Sequence, residues 1–202
     1  MAGPDFPNVD NAGDTAAALL VSGNVLVAGA SGSLYEFDGT RLTRTVASAQ
    51  SAANGLQVFL LPLPSGQVLV LIPGSTLPAA IYTPVGAALP AWQPTISAVP
   101  TALARGGSYT LTGTQLNGLS QAQAYGDEFA AATNYPLVRL TMTATGHIFY
   151  ARTHGHSSMG VATGSTPVST HFDLPAGMET GAASLVVVAN GIASAPVSVT
   201  VS

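Results

Sequence analysis

Apolar residues along this chain either alternate with polar ones or occur in short runs, and both patterns end at Gly, Pro, Ser or Asn. Alternation with a period of two places apolar side chains on one face of a strand, whereas an amphipathic helix needs them three and four residues apart over several turns. No stretch keeps the helical spacing over several turns. The pattern therefore predicts an all-β protein.

Two segments of the N-terminal half repeat each other. SGNVLV at Ser22–Val27 and SGQVLV at Ser65–Val70 are 43 residues apart. In each repeat a Ser-Gly turn joins two inner strands, and an aromatic outer strand follows at Leu34–Phe37 or Ala80–Tyr82. This period is in the range of β-propeller blades, which are four-stranded sheets, so we predict two blades over residues 1–93. Two unrelated hairpins with a common turn are the alternative.

A second domain is predicted after a Pro-rich join that ends near Pro94. From Thr95 to Ser202, seven short alternating segments recur about every ten residues, as in antiparallel sandwiches. This number of strands predicts an immunoglobulin-like β-sandwich over residues 94–202.

The order of these segments along the chain is similar to that of a known protein family. SGQVLV and IYTP are followed by VPTALARGGSYTLTG and, at the end, by VVANGIASAPVSVTV. This resembles the C-terminal part of galactose-oxidase-like kelch proteins, in which a propeller precedes an immunoglobulin-like domain of the E-set kind. The resemblance implies more blades upstream in a complete relative. It also implies a sandwich histidine that reaches the propeller to bind copper, for which Thr153-His154 is the better match and His147 the alternative.

The other copper-radical residues implied by the resemblance are not found. The family's last blade carries a Tyr-His pair where this chain reads LIPGSTLPAAIYTP, and its cysteine-crosslinked tyrosine has no counterpart because the chain has no cysteine. We therefore expect no radical copper oxidase.

The composition limits the kinds of binding partner and the cellular location that we expect. Only 7% of the residues are charged, the net charge is -4, and all five basic residues are arginines. Without basic clusters the chain cannot neutralise phosphates, so we expect neither nucleic acid nor an anionic membrane as a partner. No apolar run approaches a membrane span, and no signal peptide is visible. The absence of cysteine suits an exported bacterial protein as well as a cytosolic one, and the resemblance favours an extracellular or periplasmic location.

The segment RTHGHSSMG, Arg152–Gly160, concentrates the reactive side chains. On a strand, His154 and His156 would share one face about 6.5 to 7 Å apart, close enough to bind one divalent ion such as zinc. Asp127 and Glu128 lie in a polar loop that could supply further ligands, or hold calcium. A polar strand end and a capped turn are the alternatives. Two other histidines are candidates for a third ligand, His147 and His171.

The same segment permits a hydrolase hypothesis. Ser157 or its neighbour Ser158 would be the nucleophile, His154 or His156 the base, and Asp173 or Asp127 the orienting carboxylate. The extra serine breaks the G-x-S-x-G pattern, and an all-β chain lacks the strand-to-helix turn on which that pattern depends. Esters, lactones or glycosides would be the substrates, with or without a metal.

Exposed aromatic rings would instead indicate sugar recognition, because they stack on the apolar faces of pyranoses. The candidates are Trp92, Tyr125, Tyr135 and Tyr150, although each of these residue types is also common in cores and interfaces. The leading hypothesis is an exported binding or structural module for carbohydrate or another surface polymer. A small hydrolase centred on Arg152–Gly160 is the alternative, so enzymatic activity stays open.

The two predicted blades raise a question of stability. Propellers close with four to eight blades, so two blades leave flanks uncovered around Val25–Val27 and Val68–Leu71. The blades could pack on the sandwich or on each other. We expect pairing with a second copy, because a two-fold dimer buries the same flank on both chains.

Overall fold

The structure is a computed structural model, and it describes residues 3–12, 16–45, 58–71, 79–120, 123–124 and 135–202. It is an all-β structure with 45% strand and 4% helix, and its sheets include one that curls into a half barrel. The predicted class is therefore confirmed. The only helices among the described residues are short 3-10 turns at Pro7–Val9 and Pro90–Trp92. Neither is long or apolar enough to cross a membrane.

The chain forms two compact units. Unit 1 comprises Met1–Leu89 and Gln121–Thr133, and unit 2 comprises Pro90–Ser120 and Asn134–Ser202. The strands of unit 1 are β1 (Ala17–Leu19), β2 (Val25–Ala28), β3 (Leu34–Phe37), β4 (Leu42–Arg44), β5 (Phe59–Pro62), β6 (Val68–Leu71), β7 (Ala79–Tyr82) and β11 (Gln123–Ala124). They form an antiparallel sheet in the order β11-β1-β2-β3-β4 and a second one in the order β5-β6-β7.

The repeated Ser-Gly turns have the same geometry in both sheets of unit 1. Gly23 and Gly66 have positive φ angles of 90° and 83°, in the region that glycine enters without steric cost. Each donates its backbone N–H to a carbonyl three residues earlier, Gly23 to Leu20 and Gly66 to Leu63. The glycines therefore reverse the chain between β1 and β2 and between β5 and β6.

The two sheets of unit 1 share one apolar core. Its members come from alternate positions of both sheets and include Leu26, Leu34, Leu60, Val70 and Tyr82. The facing flanks of the two repeats are thus covered within the chain. The opposite face of the β5-β6-β7 sheet is more open, with Leu61 40% and Leu71 37% exposed.

Unit 2 is built on nine strands. They are β8 (Thr95–Ala98), β9 (Ala102–Leu103), β10 (Ser108–Thr114), β12 (Leu137–Met142), β13 (Ile148–His154), β14 (Val168–Asp173), β15 (Gly181–Ala189), β16 (Ile192–Ala193) and β17 (Val197–Val201). The pairing order is β8-β10-β14-β13-β12-β15-β17-β9, with β16 beside β15. All pairs are antiparallel except β9 with β17, which is parallel.

Strand β13 changes partner along its length. Its first part, Ile148–Ala151, pairs with β12, and its last part, Arg152–His154, pairs with β14. The core of unit 2 lies beneath these strands and contains the completely buried Leu111, Leu140 and Phe172. Because side chains alternate across each strand, the residues between these core positions point away from the core.

The core of unit 2 gives a stability prediction. We expect Phe172→Ala to reduce the free energy of unfolding by about 3–5 kcal/mol, because it removes a buried ring and leaves a cavity. The matched variant Ile148→Ala, at a mainly exposed position on the neighbouring strand, should change it by less than about 0.5 kcal/mol. Urea unfolding followed by tryptophan fluorescence and circular dichroism measures both. Equal effects of the two substitutions would contradict this assignment of the core.

Candidate functional site

The outward side chains of three adjacent strands in unit 2 form a polar surface. On β14 the inward residues Val168, Thr170 and Phe172 are buried, while the residues between them are exposed or half-buried. We define the polar face by the outward residues of β10, β14 and β13, which are Ser108, Thr110, Thr112, Ser169, His171, Asp173, Arg152 and His154. None of them is apolar, so water or a polar ligand must cover this face.

The strand register arranges the polar face in rows. Asp173 lies between Ser108 on β10 and Arg152 on β13. In the next row His171 lies directly opposite His154. Side chains that are directly opposite each other in an antiparallel pair have Cβ atoms about 4.5–5.5 Å apart, so each row forms one contact group.

His154 is at the centre of this site. Its Nε2 atom lies 2.9 Å from Oδ1 of Asp173 and 3.5 Å from Oγ of Ser108. Its ring stacks on that of His171, with centroids 5.5 Å apart and an interplanar angle of 19°. Hydrogen bonds from His154 and then Ser108 lower the pKa of Asp173, and the charge of Arg152 acts in the same direction. Asp173 is therefore a carboxylate at neutral pH.

His156 does not share the face of His154. The strand ends at His154, and Gly155 follows with a φ of 57°, where a Cβ atom would lie 2.9 Å from Nδ1 of His171. The alternation expected from a continuous strand therefore stops before His156. Instead, Nδ1 of His156 lies 2.9 Å from Oγ1 of the buried Thr170. The imidazoles of the two histidines therefore have different hydrogen-bond partners.

Burial sets the protonation of His156. Loss of solvent around the imidazole lowers its pKa below the ordinary value of 6.5, and the charge of nearby His154 lowers it further. The ring also makes an edge contact with Tyr135, with centroids 5.7 Å apart. At neutral pH His156 is consequently a neutral imidazole held by a hydroxyl group and an aromatic ring.

Ser157 pairs with the backbone of β14. Its Oγ accepts a 2.8 Å hydrogen bond from the N–H of Ser169, and its own N–H donates to the Ser169 carbonyl at 2.9 Å. These bonds continue the strand pairing beyond Gly155. Among the described residues, the serine whose hydroxyl group contacts His154 is Ser108, which is not one of the site residues predicted from the sequence. Only the register between β10 and β14 brings Ser108 to this site.

The contact of Ser108, His154 and Asp173 differs from a hydrolase triad. In such a triad the serine contacts Nε2 of the histidine and the carboxylate contacts Nδ1. Here Asp173 and Ser108 both face Nε2 of His154. The carboxylate therefore competes with the serine for one nitrogen instead of orienting the ring for it.

The described residues contain no group of three or more His, Asp or Glu side chains arranged to hold a metal ion. Two of the residues expected as ligands, Asp127 and Glu128, lie outside the described residues, as does Tyr125. A metal site that includes them stays a prediction.

Two of the aromatic candidates are accessible. Tyr135 is 47% exposed and Tyr150 is 46% exposed, whereas Trp92 is half-buried in the 3-10 turn at Pro90–Trp92. Tyr150 alternates with Arg152 and His154 along β13, so its ring extends the outward side of the strand. Opposite Tyr150 on β12 is Arg139.

No family model matches the sequence, and none of the curated proteins matches it significantly. The functional argument for this chain therefore depends on the geometry of the site.

The environment of His156 gives a titration prediction. We expect its imidazole to titrate below the ordinary value of 6.5, because the fold favours the neutral form. Since the unfolded chain would bind that proton more readily, this group's contribution to stability is complete above the ordinary pKa and decreases as the pH falls below it. Nuclear magnetic resonance of the ring nitrogens measures the pKa directly.

His154→Gln provides the control for that titration. It should raise the pKa of His156 only partly, because burial is the larger cause of the shift. A wild-type His156 that titrates at or above 6.5, or a complete return to 6.5 in His154→Gln, would contradict the burial argument.

Proposed function

We propose that this chain is a binding module for a polyhydroxylated polymer, such as a surface carbohydrate, and that the polymer binds on the polar face. The observation that carries the proposal is the continuous set of hydroxyl, imidazole, carboxylate and guanidinium groups across β10, β14 and β13. The half-exposed ring of Tyr150 extends this set along β13.

The chemistry of the polar face matches that of sugars. Hydroxyl groups of a sugar donate and accept hydrogen bonds, and the face offers a carboxylate acceptor in Asp173, a cationic donor in Arg152 and hydroxyls that do both. Alternate residues along a strand are about 7 Å apart and neighbouring strands about 4.8 Å apart, so these groups form a regular grid. The Tyr150 ring would stack on an apolar sugar face.

We propose further that unit 2 is an immunoglobulin-like sandwich of the E-set kind. The order β8-β10-β14 with the last part of β13 corresponds to one sheet of such a sandwich, and β17-β15-β12 with the first part of β13 to the other. For unit 1 we propose two propeller-type blades, supported by the meander β1-β2-β3-β4 and the repeated Ser-Gly turn. With the resemblance to galactose-oxidase-like kelch proteins, this supports an extracellular or periplasmic setting.

Hydrolysis is the second candidate function. It is favoured by one observation, the contact of Ser108, His154 and Asp173 on an accessible face. Catalysis would require Asp173 to move to Nδ1 of His154, leaving Nε2 to Ser108. Ser108 is then the nucleophile for this hypothesis, in place of Ser157.

Self-association is proposed for unit 1. The strands of the β5-β6-β7 sheet contain no charged residue, and their outward face exposes Leu61 and Leu71. Charged residues are a common protection of sheet edges and faces against association. A two-fold dimer would bury this face on both copies at once.

Carbohydrate binding is tested with the full chain against a panel of soluble polysaccharides, by affinity electrophoresis and by amide chemical shifts with oligosaccharides. We expect Tyr150→Ala and Asp173→Asn each to weaken binding by roughly tenfold, because they remove a stacking ring and a charge-assisted hydrogen bond. The matched control is Glu179→Gln, since Glu179 is another carboxylate bonded to a histidine, His147, but outside the polar face. Equal losses in Asp173→Asn and Glu179→Gln would contradict the proposed surface.

The same proteins are assayed with chromogenic esters and lactones, with and without chelator. The binding proposal predicts no turnover above buffer. Turnover that disappears in His154→Ala and Ser108→Ala but persists in Ser157→Ala would establish the hydrolase instead.

Multi-angle light scattering at micromolar concentration tests the dimer. We expect a dimer whose dissociation constant rises at least tenfold in Leu71→Thr, because a buried leucine side chain contributes about 1.5–3 kcal/mol. Ile148→Thr, at an exposed position of unit 2, should leave the mass unchanged. A monomeric wild-type chain would overturn this proposal.

A further inference from the structure

A cavity of about 440 Å³ lies within unit 1, beside β3, β4 and β7. Its volume is within the range of about 300–1,000 Å³ that is typical of small-molecule sites. The residues that matter for its chemistry are Glu36, Thr43, Ile81, Tyr82, Thr83 and Val85. It is separate from the polar face, whose residues all belong to unit 2.

Glu36 supplies the carboxylate of this cavity. The Tyr82 hydroxyl donates a hydrogen bond to Oε1 of Glu36, and Nδ2 of Asn24 donates to Oε2 at 3.1 Å. A carboxylate has about four lone-pair sites, so two of them have no donor among the described residues. Burial and the neighbouring Glu36 raise the pKa of Tyr82, which keeps its hydroxyl protonated as a donor.

The carboxylate is not neutralised by an arginine. Arg44 also borders the cavity, but in the register of β3 and β4 it lies opposite Tyr35, whereas Glu36 lies opposite Thr43. Because side chains alternate, Arg44 and Glu36 start from opposite faces of the sheet. Among the described residues, Glu36 forms no ion pair.

Most of the surface that lines the cavity is contributed by apolar atoms, although threonines also border it. Tyr82 belongs to the core of unit 1, and Val85 is 82% exposed although it is a large aliphatic side chain. A site of this kind suits a ligand with a carbon body and one strongly polar end. Glu36 is the only carboxylate among the lining residues, and the Arg44 side chain that also borders the cavity starts from the other face of the sheet.

We propose that this cavity binds a small organic ammonium ion, with the ammonium group on Glu36 and the carbon body against Tyr82 and Val85. A cationic donor forms a stronger hydrogen bond to a carboxylate than a neutral hydroxyl does. This site is independent of the proposed carbohydrate binding and makes no use of the polar face.

Cyclohexylammonium and its neutral isostere cyclohexanol are the probes, titrated into the full chain and followed by amide chemical shifts. We expect saturable shifts at Glu36, Thr43 and Val85, with cyclohexylammonium binding roughly tenfold more tightly than cyclohexanol. Glu36→Gln should reduce the affinity for the cation to that for the alcohol. The control Glu179→Gln removes a half-buried carboxylate of unit 2 and should have no effect.

A second pair of variants tests the location without altering Glu36. Thr43→Trp places a large ring on the cavity side of β4 and should abolish the shifts, whereas Thr200→Trp, at an exposed position of β17 outside the polar face, should preserve them. Equal affinity for the two probes, no saturable shift with the cation, or retained binding in Thr43→Trp would each overturn the proposal.

Discussion

The pairing of Arg152–His154 with β14 is the interaction on which the candidate site depends. Up to Ala151, β13 belongs beside β12, and from Arg152 onward it lies beside β14. That change of partner sets His154 opposite His171 and Arg152 opposite Asp173. If β13 had stayed with β12 to its end, neither imidazole nor guanidinium would reach Asp173. After β13 ends at His154, the hydrogen bonds between Ser157 and Ser169 keep the chain next to β14.

The scarcity of charge explains how the acidic residues are held. Among the described residues, both carboxylates that form ion pairs do so with histidines, Asp173 with His154 and Glu179 with His147. Arg152, by contrast, lies opposite Asp173 in the strand register but forms no ion pair among the described residues. Its guanidinium is exposed on the polar face.

Sequence patterns predicted much of this fold, because alternation is a local property. The outer strand predicted at Leu34–Phe37 is β3 with the same bounds, and the Ser-Gly turns follow from the φ angles that glycine permits. The arrangement of the candidate site could not be predicted from alternation. Ser108 reaches His154 only through strand register, which joins residues far apart in sequence. His156 leaves the expected face because the single residue Gly155 adopts a left-handed conformation, and this cannot be derived from alternation.

The number of hydrogen bonds that a carboxylate accepts within the fold decides whether it can also accept one from a ligand. Asp10 accepts four hydrogen bonds, from the N–H groups of Asn11 and Ser31 and from the hydroxyls of Ser31 and Tyr35. A Cβ atom on Gly29 would lie 2.3 Å from its Oδ2, so the surroundings are also closed sterically. All of the roughly four lone-pair sites of Asp10 are therefore used within the fold.

Glu36 lies beside a cavity and accepts hydrogen bonds from only two donors in the part of the chain that the structure describes, which leaves it acceptor capacity for a ligand. Hydroxyl and amide donors position this carboxylate without cancelling its charge, which an arginine would do. In a chain with so few charged residues, a carboxylate that is held in place but not neutralised can discriminate between cations and neutral molecules of the same shape. The low charge of the chain is therefore the common basis of both proposals, the association of the uncharged β5-β6-β7 sheet and the cation preference of Glu36.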